Sequence, residues 1–241
     1  MYQNENVMEK QNHKTNIFSQ VLEMKNIVLY IISFMLSMVG LGGEFSVFSI
    51  SMLGACMASS VPVLGVVIVT LTGNLIKFGV GGALGYFLTA LVLVVELFIV
   101  KPTYNEKERN EKIKIGKHLA IAILIIQMVK LAIAGFTIYD VLSGITLAII
   151  GVVFYKIFVN ATAVLQEFWT RRAFTIEELI GASLILAISV GAFGDLSLFG
   201  FNIKNILSIL IVMILGWKNG ILVGTTAGVT IRSNLRCHYR K

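Results

Sequence analysis

The stretch FSVFSISMLGACMASSVPVLGVVIVTLTGNLIKFGVGGALGYFLTALVLVVELFIV, residues 45–100, is interrupted by only two charged side chains, Lys77 and Glu96. A helix that crosses a bilayer needs about 20 apolar residues, because it must satisfy its own backbone across roughly 30 Å of hydrocarbon. One crossing cannot use so long a stretch, whereas three crossings of about 19 residues fit it, with breaks near Pro62 and Lys77. The stretch therefore predicts several membrane helices in succession.

Composition points the same way along the rest of the chain. Hydrophobic residues make up 56% of the 241 positions and charged residues 14%, and the mean hydropathy is +0.85. The net charge of +7 resides in short segments between apolar runs, where basic residues mark the cytoplasmic side of a membrane. We expect an integral membrane protein in the lipid bilayer, with no nucleic-acid partner.

The basic segments also fix the direction of the first crossings. Residues 1–26 are polar and lack a cleavage site of the secretory type, so we expect a cytoplasmic N-terminal tail. The first apolar run, Ile27–Gly43, leads outward from lysines to Glu44. The segment Lys101–Lys117 is rich in lysine and should be a cytoplasmic loop, so residues 45–100 must cross an odd number of times. Its mixed charges favour a solvated connection over a partner-docking surface.

The next two apolar runs predict a helical hairpin. His118–Phe136 leads outward, Asp140 marks the turn, and Val141–Val159 returns to a polar, basic stretch. Thr175 stands three residues before Glu178, the spacing of a capping box at the start of a helix.

A seventh helix should therefore run from Ile176 to about Phe193, followed by a turn around Asp195. Ile203–Trp217 predicts an eighth crossing. Gly220–Ile231 covers only about half a bilayer and predicts a ninth span cut short.

The predicted fold is an all-α, polytopic transmembrane helical bundle over residues 27–231, with about eight complete spans and a truncated ninth. The tail 232–241 is basic, although a completed ninth span would place it on the side that disfavours positive charge. We expect that this tail results from a truncation or a frame change.

Four ionisable residues fall within or beside apolar runs: Glu96, Lys130, Lys156 and Lys204. Ionisable side chains within a membrane are costly and often functional, as in transporters. Each of the four also lies near a predicted helix end, where long side chains reach the headgroups. We favour the interpretation that these side chains reach the headgroups from helix ends.

Metal, catalytic and phosphate sites are not indicated. Cys56 and Met57 have no further soft ligand nearby. The three histidines, His13, His118 and His238, lie at the membrane edge or in the tail and form no catalytic constellation. We expect no catalytic, cofactor-binding or metal-binding residue.

The glycine-rich stretch beginning at Gly79 lacks the residues that follow a phosphate-binding loop. Glycines bring membrane helices close together, so we expect helix packing from the four glycines of this stretch, Gly79, Gly81, Gly82 and Gly85.

Three segments carry a resemblance to a known family: FSVFSISMLGACMASSVP from Phe45 to Pro62, FTIEELIGASLILAISVGAFG from Phe174 to Gly194, and NILSILIVMILGWKNGILVGTTAGVTI from Asn205 to Ile231. They resemble the membrane region of stage II sporulation protein E, and the resemblance covers about residues 27–231. In that family about ten membrane helices precede a cytoplasmic region for oligomerisation and binding of the division protein. A manganese-dependent serine/threonine phosphatase of the PPM type follows.

The resemblance implies a role at the polar septum of a sporulating bacterium. The family's phosphatase dephosphorylates an anti-anti-sigma factor and so activates the first forespore sigma factor. The metal-binding aspartates of that phosphatase have no counterpart here, so anchoring in the septal membrane and self-association through glycine-rich helices are the implied functions. Manganese and catalysis belong to the phosphatase domain, and the septal division machinery is an implied partner.

Two alternatives remain open. A small transporter or substrate-binding subunit would place Glu96 and Lys130 on a cavity, with helices broken at Pro62 or at the glycines. A nonfunctional remnant of a disrupted gene would explain the odd number of spans and the basic tail.

Overall fold

The computed structural model describes residues 24–40, 46–59, 61–99, 108–167, 174–193, 197–198, 201–222, 224–226 and 228–229. These form seven helices: α1 Met24–Ser37, α2 Val47–Ala58, α3 Val63–Ile99, α4 Glu108–Ala134, α5 Ile138–Glu167, α6 Ile176–Val190 and α7 Ile203–Asn219. Two-residue strands, β1 Ser197–Leu198 and β2 Phe201–Asn202, pair antiparallel between α6 and α7. The all-helical class is confirmed, with this short ribbon as its one exception among the ranges given.

Helix α2 is the centre of the bundle. Its residues from Val47 to Cys56 are all buried, and α1, α3, α4 and α5 surround it. A helix that is apolar on every side must be enclosed by protein or lipid. At 12 residues, α2 is about 18 Å long, too short to cross the hydrocarbon unaided.

Helix α3 is two helices joined at Gly79, where φ is +69° and ψ is −165°. The Thr70 hydroxyl lies 2.6 Å from the Tyr86 hydroxyl. In an unbroken helix, 16 residues would separate them by about 24 Å along the axis, beyond the reach of the two side chains. Residues 63–78 and 80–99 must therefore fold back on each other.

The break at Gly79 falls two residues beyond the predicted break at Lys77. The other predicted break is confirmed, since α2 ends at Ala58 and α3 begins immediately after Pro62. Proline favours the first turn of a helix because it has no backbone N–H to leave unpaired.

The hairpin of α4 and α5 is present but longer than predicted. The chain turns at Gly135, where φ is +103°, rather than at Asp140. Asp140 instead lies in the first turn of α5, where a carboxylate is favourable at the positive end of the helix dipole. The Asp140 backbone N–H lies 3.4 Å from the Thr137 hydroxyl oxygen, so Thr137 assists the start of α5.

The prediction of a loop over Lys101–Lys117 is wrong for its last ten residues, which form the first turns of α4 from Glu108. Positive charge reports the side of the membrane and not the backbone conformation. Glutamate, lysine and arginine favour helices, and residues 108–117 are rich in these residues. The earlier residues of the predicted loop lie outside the described ranges.

The start of α6 is confirmed to the residue. Thr175 precedes Ile176, the Thr175 side chain accepts a hydrogen bond from the Glu178 N–H, and the Glu178 carboxylate accepts one from the Thr175 N–H at 2.9 Å. A 3₁₀ turn then extends the helix to Phe193, the predicted end. Asp195 lies outside the described residues.

The segment after α7 folds back on it. Gly220 has φ +84°, and a Cβ added to Gly224 would lie 2.8 Å from Cα of Gly216. The helical residues between 221 and 229 thus pack against the last turns of α7. The basic tail 232–241 lies beyond the part of the chain that the structure describes.

By length and composition, four helical segments among these residues could cross a membrane: Val63–Leu97, which reverses at Gly79, and Lys114–Ile133, Ile138–Glu167 and Ile176–Phe193. Shorter apolar helices occupy Asn26–Ser37, Val47–Ala58 and Asn205–Ile214. The prediction of about eight complete spans is therefore not confirmed, although helical segments occupy each of the predicted positions.

Candidate functional site: buried polar contacts between helices

Asn74 makes three side-chain hydrogen bonds inside the bundle. It lies in the first half of α3, fully buried, and its Oδ1 accepts a hydrogen bond of 3.0 Å from the Ser46 backbone N–H. Its Nδ2 donates to the Ser49 hydroxyl at 3.1 Å and to the Thr70 carbonyl at 2.9 Å. One amide thereby connects α3 to the first turn of α2.

Asn74 supplies a hydrogen-bond partner at the start of the short helix α2. The first backbone N–H groups of a helix have no partner within it, and Ser46, the N-cap residue of α2, makes no side-chain capping bond to them. Inside a membrane, water does not supply a substitute. Asn74 binds the N–H of Ser46, and the Ser46 hydroxyl donates to the Leu36 carbonyl of α1 at 2.8 Å.

We name Ser46, Ser49, Thr70, Asn74 and Tyr86 the Asn74 cluster. All five are buried. Thr70 connects the cluster to Tyr86 in the second half of α3, and Ser49 donates to the Ser46 carbonyl at 2.5 Å. Because these groups satisfy one another, the cluster fastens α1, α2 and both halves of α3 to each other.

The other side of α2 is fastened to α5. The Ser51 hydroxyl lies 2.9 Å from the Gly151 carbonyl, and the Ser59 hydroxyl lies 2.9 Å from that of Thr162. Gly151 also lies close to α2, since a Cβ added to it would lie 3.3 Å from the Val47 side chain. Hydroxyls and glycines together set the spacing of these helices.

Glu96, one of the four predicted ionisable candidates, lies beside a titratable partner on the next helix. Its Oε2 lies 3.3 Å from Nδ1 of His118 in α4, and each side chain is 17% exposed. Oε2 of Glu96 is buried and lacks a hydrogen bond of normal geometry, so the contact is an ion pair only when the imidazole carries a proton. His118 is thus half-buried, with Glu96 of α3 against it.

The three lysine candidates do not join this pair. Lys130 is half-buried and lies 12 residues beyond His118 on α4, about 18 Å along the helix. Lys156 is exposed and lies well inside α5, which continues past the predicted end to Glu167. Lys204 lies at the start of α7, and its side chain is outside the described set.

No group of three or more histidine, cysteine, aspartate or glutamate residues that could hold a metal occurs within the residues described. Cys56 is a free thiol buried in α2, with Met57 packed against the core. His13, His238 and Cys237 lie outside the described ranges.

The predicted packing glycines divide into two kinds. Gly82 and Gly85 are buried, as expected for helix contacts. An added Cβ at Gly79 or Gly81 would meet nothing within 4 Å, so packing inside this chain does not explain those two. Gly79 supplies the positive φ of the turn, which other residues rarely adopt.

The Asn74 cluster was not predicted, because only ionisable residues within apolar runs were taken as candidates. An available signal was Thr70 and Asn74, one helical turn apart within an apolar run, where a polar side chain needs a partner. No signal in one sequence identified Ser46 and Ser49 as those partners.

These contacts define a class: a helical membrane domain whose buried polar groups hold its own helices together. The chain matches the family model of the SpoIIE N-terminal domain over residues 1–231, and it belongs to that family. A search of curated proteins and a search of solved structures each found no match.

Proposed function

We propose that this chain is the membrane-anchoring and assembly region of a sporulation protein that acts at the polar septum. Membership of the SpoIIE N-terminal domain family supports the sporulation role. Four membrane-length helices support the anchoring role. The observation that carries the proposal is that the buried polar groups of the Asn74 cluster join helices to each other, as a scaffold requires.

The proposed orientation places the N terminus in the cytoplasm of a bacterial cell, with multiple passes through the cytoplasmic membrane. Division machinery at the septum and further copies of the chain are the proposed partners. The activation of a forespore sigma factor and the manganese-dependent phosphatase activity are proposed for the family's phosphatase domain. We propose no catalytic residue and no cofactor for residues 27–231.

The septal role is tested by imaging a fluorescent fusion of the full 241-residue chain in sporulating cells. We expect enrichment at the polar septum over the lateral membrane. A helical membrane protein of similar size and no relation to sporulation serves as the control. An equal distribution of the fusion and the control around the cell would contradict the septal role while leaving the anchoring role intact.

The transporter alternative receives less support. It required Glu96 and Lys130 on one cavity, but Glu96 of α3 contacts His118 of α4. Lys130 lies about 18 Å further along α4 from that contact. Solute-dependent thermal stabilisation that Glu96→Gln abolishes would restore that alternative.

A further inference from the structure

Two lysines lie on neighbouring helices beside one close contact. A Cβ added to Gly116 of α4 would lie 3.1 Å from the Tyr155 ring of α5. Lys117 and Lys156 each follow one of these contact residues by one position, and both are exposed. Neither makes an ion pair or a hydrogen bond within the described part of the chain.

The helices run antiparallel, because Gly116 meets Tyr155 while Gly144 of α5 meets Gln127 further along α4. A step of one residue rotates a side chain by about 100° around its helix. Seen from one end of the bundle, the two antiparallel helices rotate in opposite senses. Lys117 and Lys156 consequently lie on the same side of the α4–α5 contact.

The axes of packed helices are about 8–10 Å apart, and glycine contacts favour the lower value. Two lysine side chains about 6 Å long, starting from neighbouring helices, can therefore reach one group between them. Asn160 follows Lys156 by about one turn and is also exposed. These three residues form what we name the Lys117–Lys156 site.

An apolar surface continues from this site along both helices. Its α4 side contains Ile121, Ile125 and Met128, and its α5 side contains Ile149 and Val153, all between 42% and 61% exposed. Both helices are long and apolar enough to cross the membrane. In a bilayer this surface contacts acyl chains.

We propose that the Lys117–Lys156 site binds the headgroup of an anionic phospholipid, whose acyl chains lie along the exposed face of α4 and α5. Two ammonium groups attract a phosphate, and the Asn160 amide can donate a further hydrogen bond. Basic pockets between membrane helices bind anionic headgroups in this manner. The inference requires that α4 and α5 lie in a membrane and is independent of the septal role.

Charge decides between the possible occupants. A second copy of the chain in the same orientation, placed symmetrically on this face, would bring lysines against lysines. A phosphate-bearing lipid supplies opposite charge to the lysines and apolar chains to the face, whereas free phosphate supplies only the charge.

The test uses the full chain purified in a neutral detergent, with native mass spectrometry counting the lipids retained. Phosphatidylglycerol and phosphatidylcholine are added in equal amounts, with and without inorganic phosphate. We expect retention of phosphatidylglycerol at least tenfold above phosphatidylcholine, unchanged by millimolar phosphate. The double substitution Lys117→Gln with Lys156→Gln should reduce that preference at least tenfold.

Lys77→Gln is the control for removing an exposed lysine elsewhere, because Lys77 is exposed on α3, away from the α4–α5 contact. It should leave the preference unchanged, and circular dichroism checks that all variants remain helical. Equal retention of the two lipids by the unaltered chain would overturn the proposal. So would a preference that survives the double substitution, or one that inorganic phosphate abolishes, which would indicate a phosphate site without acyl-chain contacts.

Discussion

At the scale of single residues, the bundle depends on hydrogen bonds between buried polar groups of different helices. Asn74 makes three hydrogen bonds to α2 and α3. Removing one partner from a buried hydrogen bond costs more than the bond itself contributes, because the remaining group stays unpaired and desolvated. Asn74 is therefore the position at which a small change in side chain should have the largest effect.

Asn74→Leu keeps a similar volume and leaves the Ser46 N–H and the Ser49 hydroxyl without their partner. We expect a loss of stability of about 1–3 kcal/mol and faster labelling of Cys56, which is 0% exposed, by a maleimide. The measurement uses a Cys237→Ser chain, so that Cys56 is the thiol detected.

Thr72→Val is the matched control, because Thr72 lies on the same helix with an exposed hydroxyl that bonds its own turn at 2.8 Å. It should label at the unaltered rate. If Asn74→Leu and Thr72→Val label equally slowly, Asn74 does not hold α2 in place.

A pair of glycines tests close packing in the same way. A Cβ on Gly181 of α6 would lie 2.9 Å from the Ile157 carbonyl oxygen, and backbone cannot move aside as a side chain can. Gly181→Ala should lower stability by about 1–3 kcal/mol. Gly81→Ala, where nothing lies within 4 Å, should be neutral or stabilise by up to about 1 kcal/mol.

Chemical or thermal unfolding in detergent measures both variants. The decisive result is the difference in stability between the two variants. An equal change in stability would mean that α5 and α6 are not in close contact at Gly181.

At the scale of elements, α3 is the informative case. A long apolar run was predicted to break near Lys77, and the break occurs at Gly79. A charged residue in an apolar run shows that the helix cannot continue far into hydrocarbon. The sequence does not show which glycine of a glycine-rich stretch adopts a positive φ. Gly79 was therefore predicted to serve helix packing, like the other glycines of its stretch.

The reversal at Gly79 predicts a cross-link. In a chain with Cys56→Ala and Cys237→Ser, the substitutions Thr70→Cys and Tyr86→Cys should be joined by a short bis-maleimide, because the native side chains are in contact. The pair Thr146→Cys and Thr162→Cys has the same spacing within α5, about 24 Å along an unbroken helix, and should not be joined. Gel mobility separates the products, and cross-linking of neither pair or of both would argue against the reversal.

At the scale of the whole molecule, hydropathy and charge predicted the class and the order of the helical segments, and the Thr175–Glu178 spacing predicted the start of α6 at Ile176. The α4–α5 turn was predicted at Asp140, the charged residue between two apolar runs. The chain turns at Gly135 instead, and Thr137 assists the start of α5, so Asp140 lies within that helix. Hydropathy and charge also missed the Asn74 cluster, whose partners lie far apart in sequence and meet only when α1, α2 and α3 pack.

The number of membrane crossings is the quantity that a topology experiment must determine, since four membrane-length segments are fewer than the eight predicted spans. If residues 80–99 cross the membrane, Gly79 and the start of α6 must lie on opposite sides. Both places offer an exposed position for a reporter, Gly81 near the turn and Glu177 in the first turn of α6.

The most direct test is the labelling of single cysteines at these positions in intact cells, with a membrane-impermeant maleimide and a Cys56→Ala, Cys237→Ser background. We predict that Gly81→Cys is labelled in intact cells and that Glu177→Cys is labelled only after permeabilisation. Labelling of both from the same side would contradict the account, because residues 80–99 would then not carry the chain across the membrane as a multi-pass anchor requires.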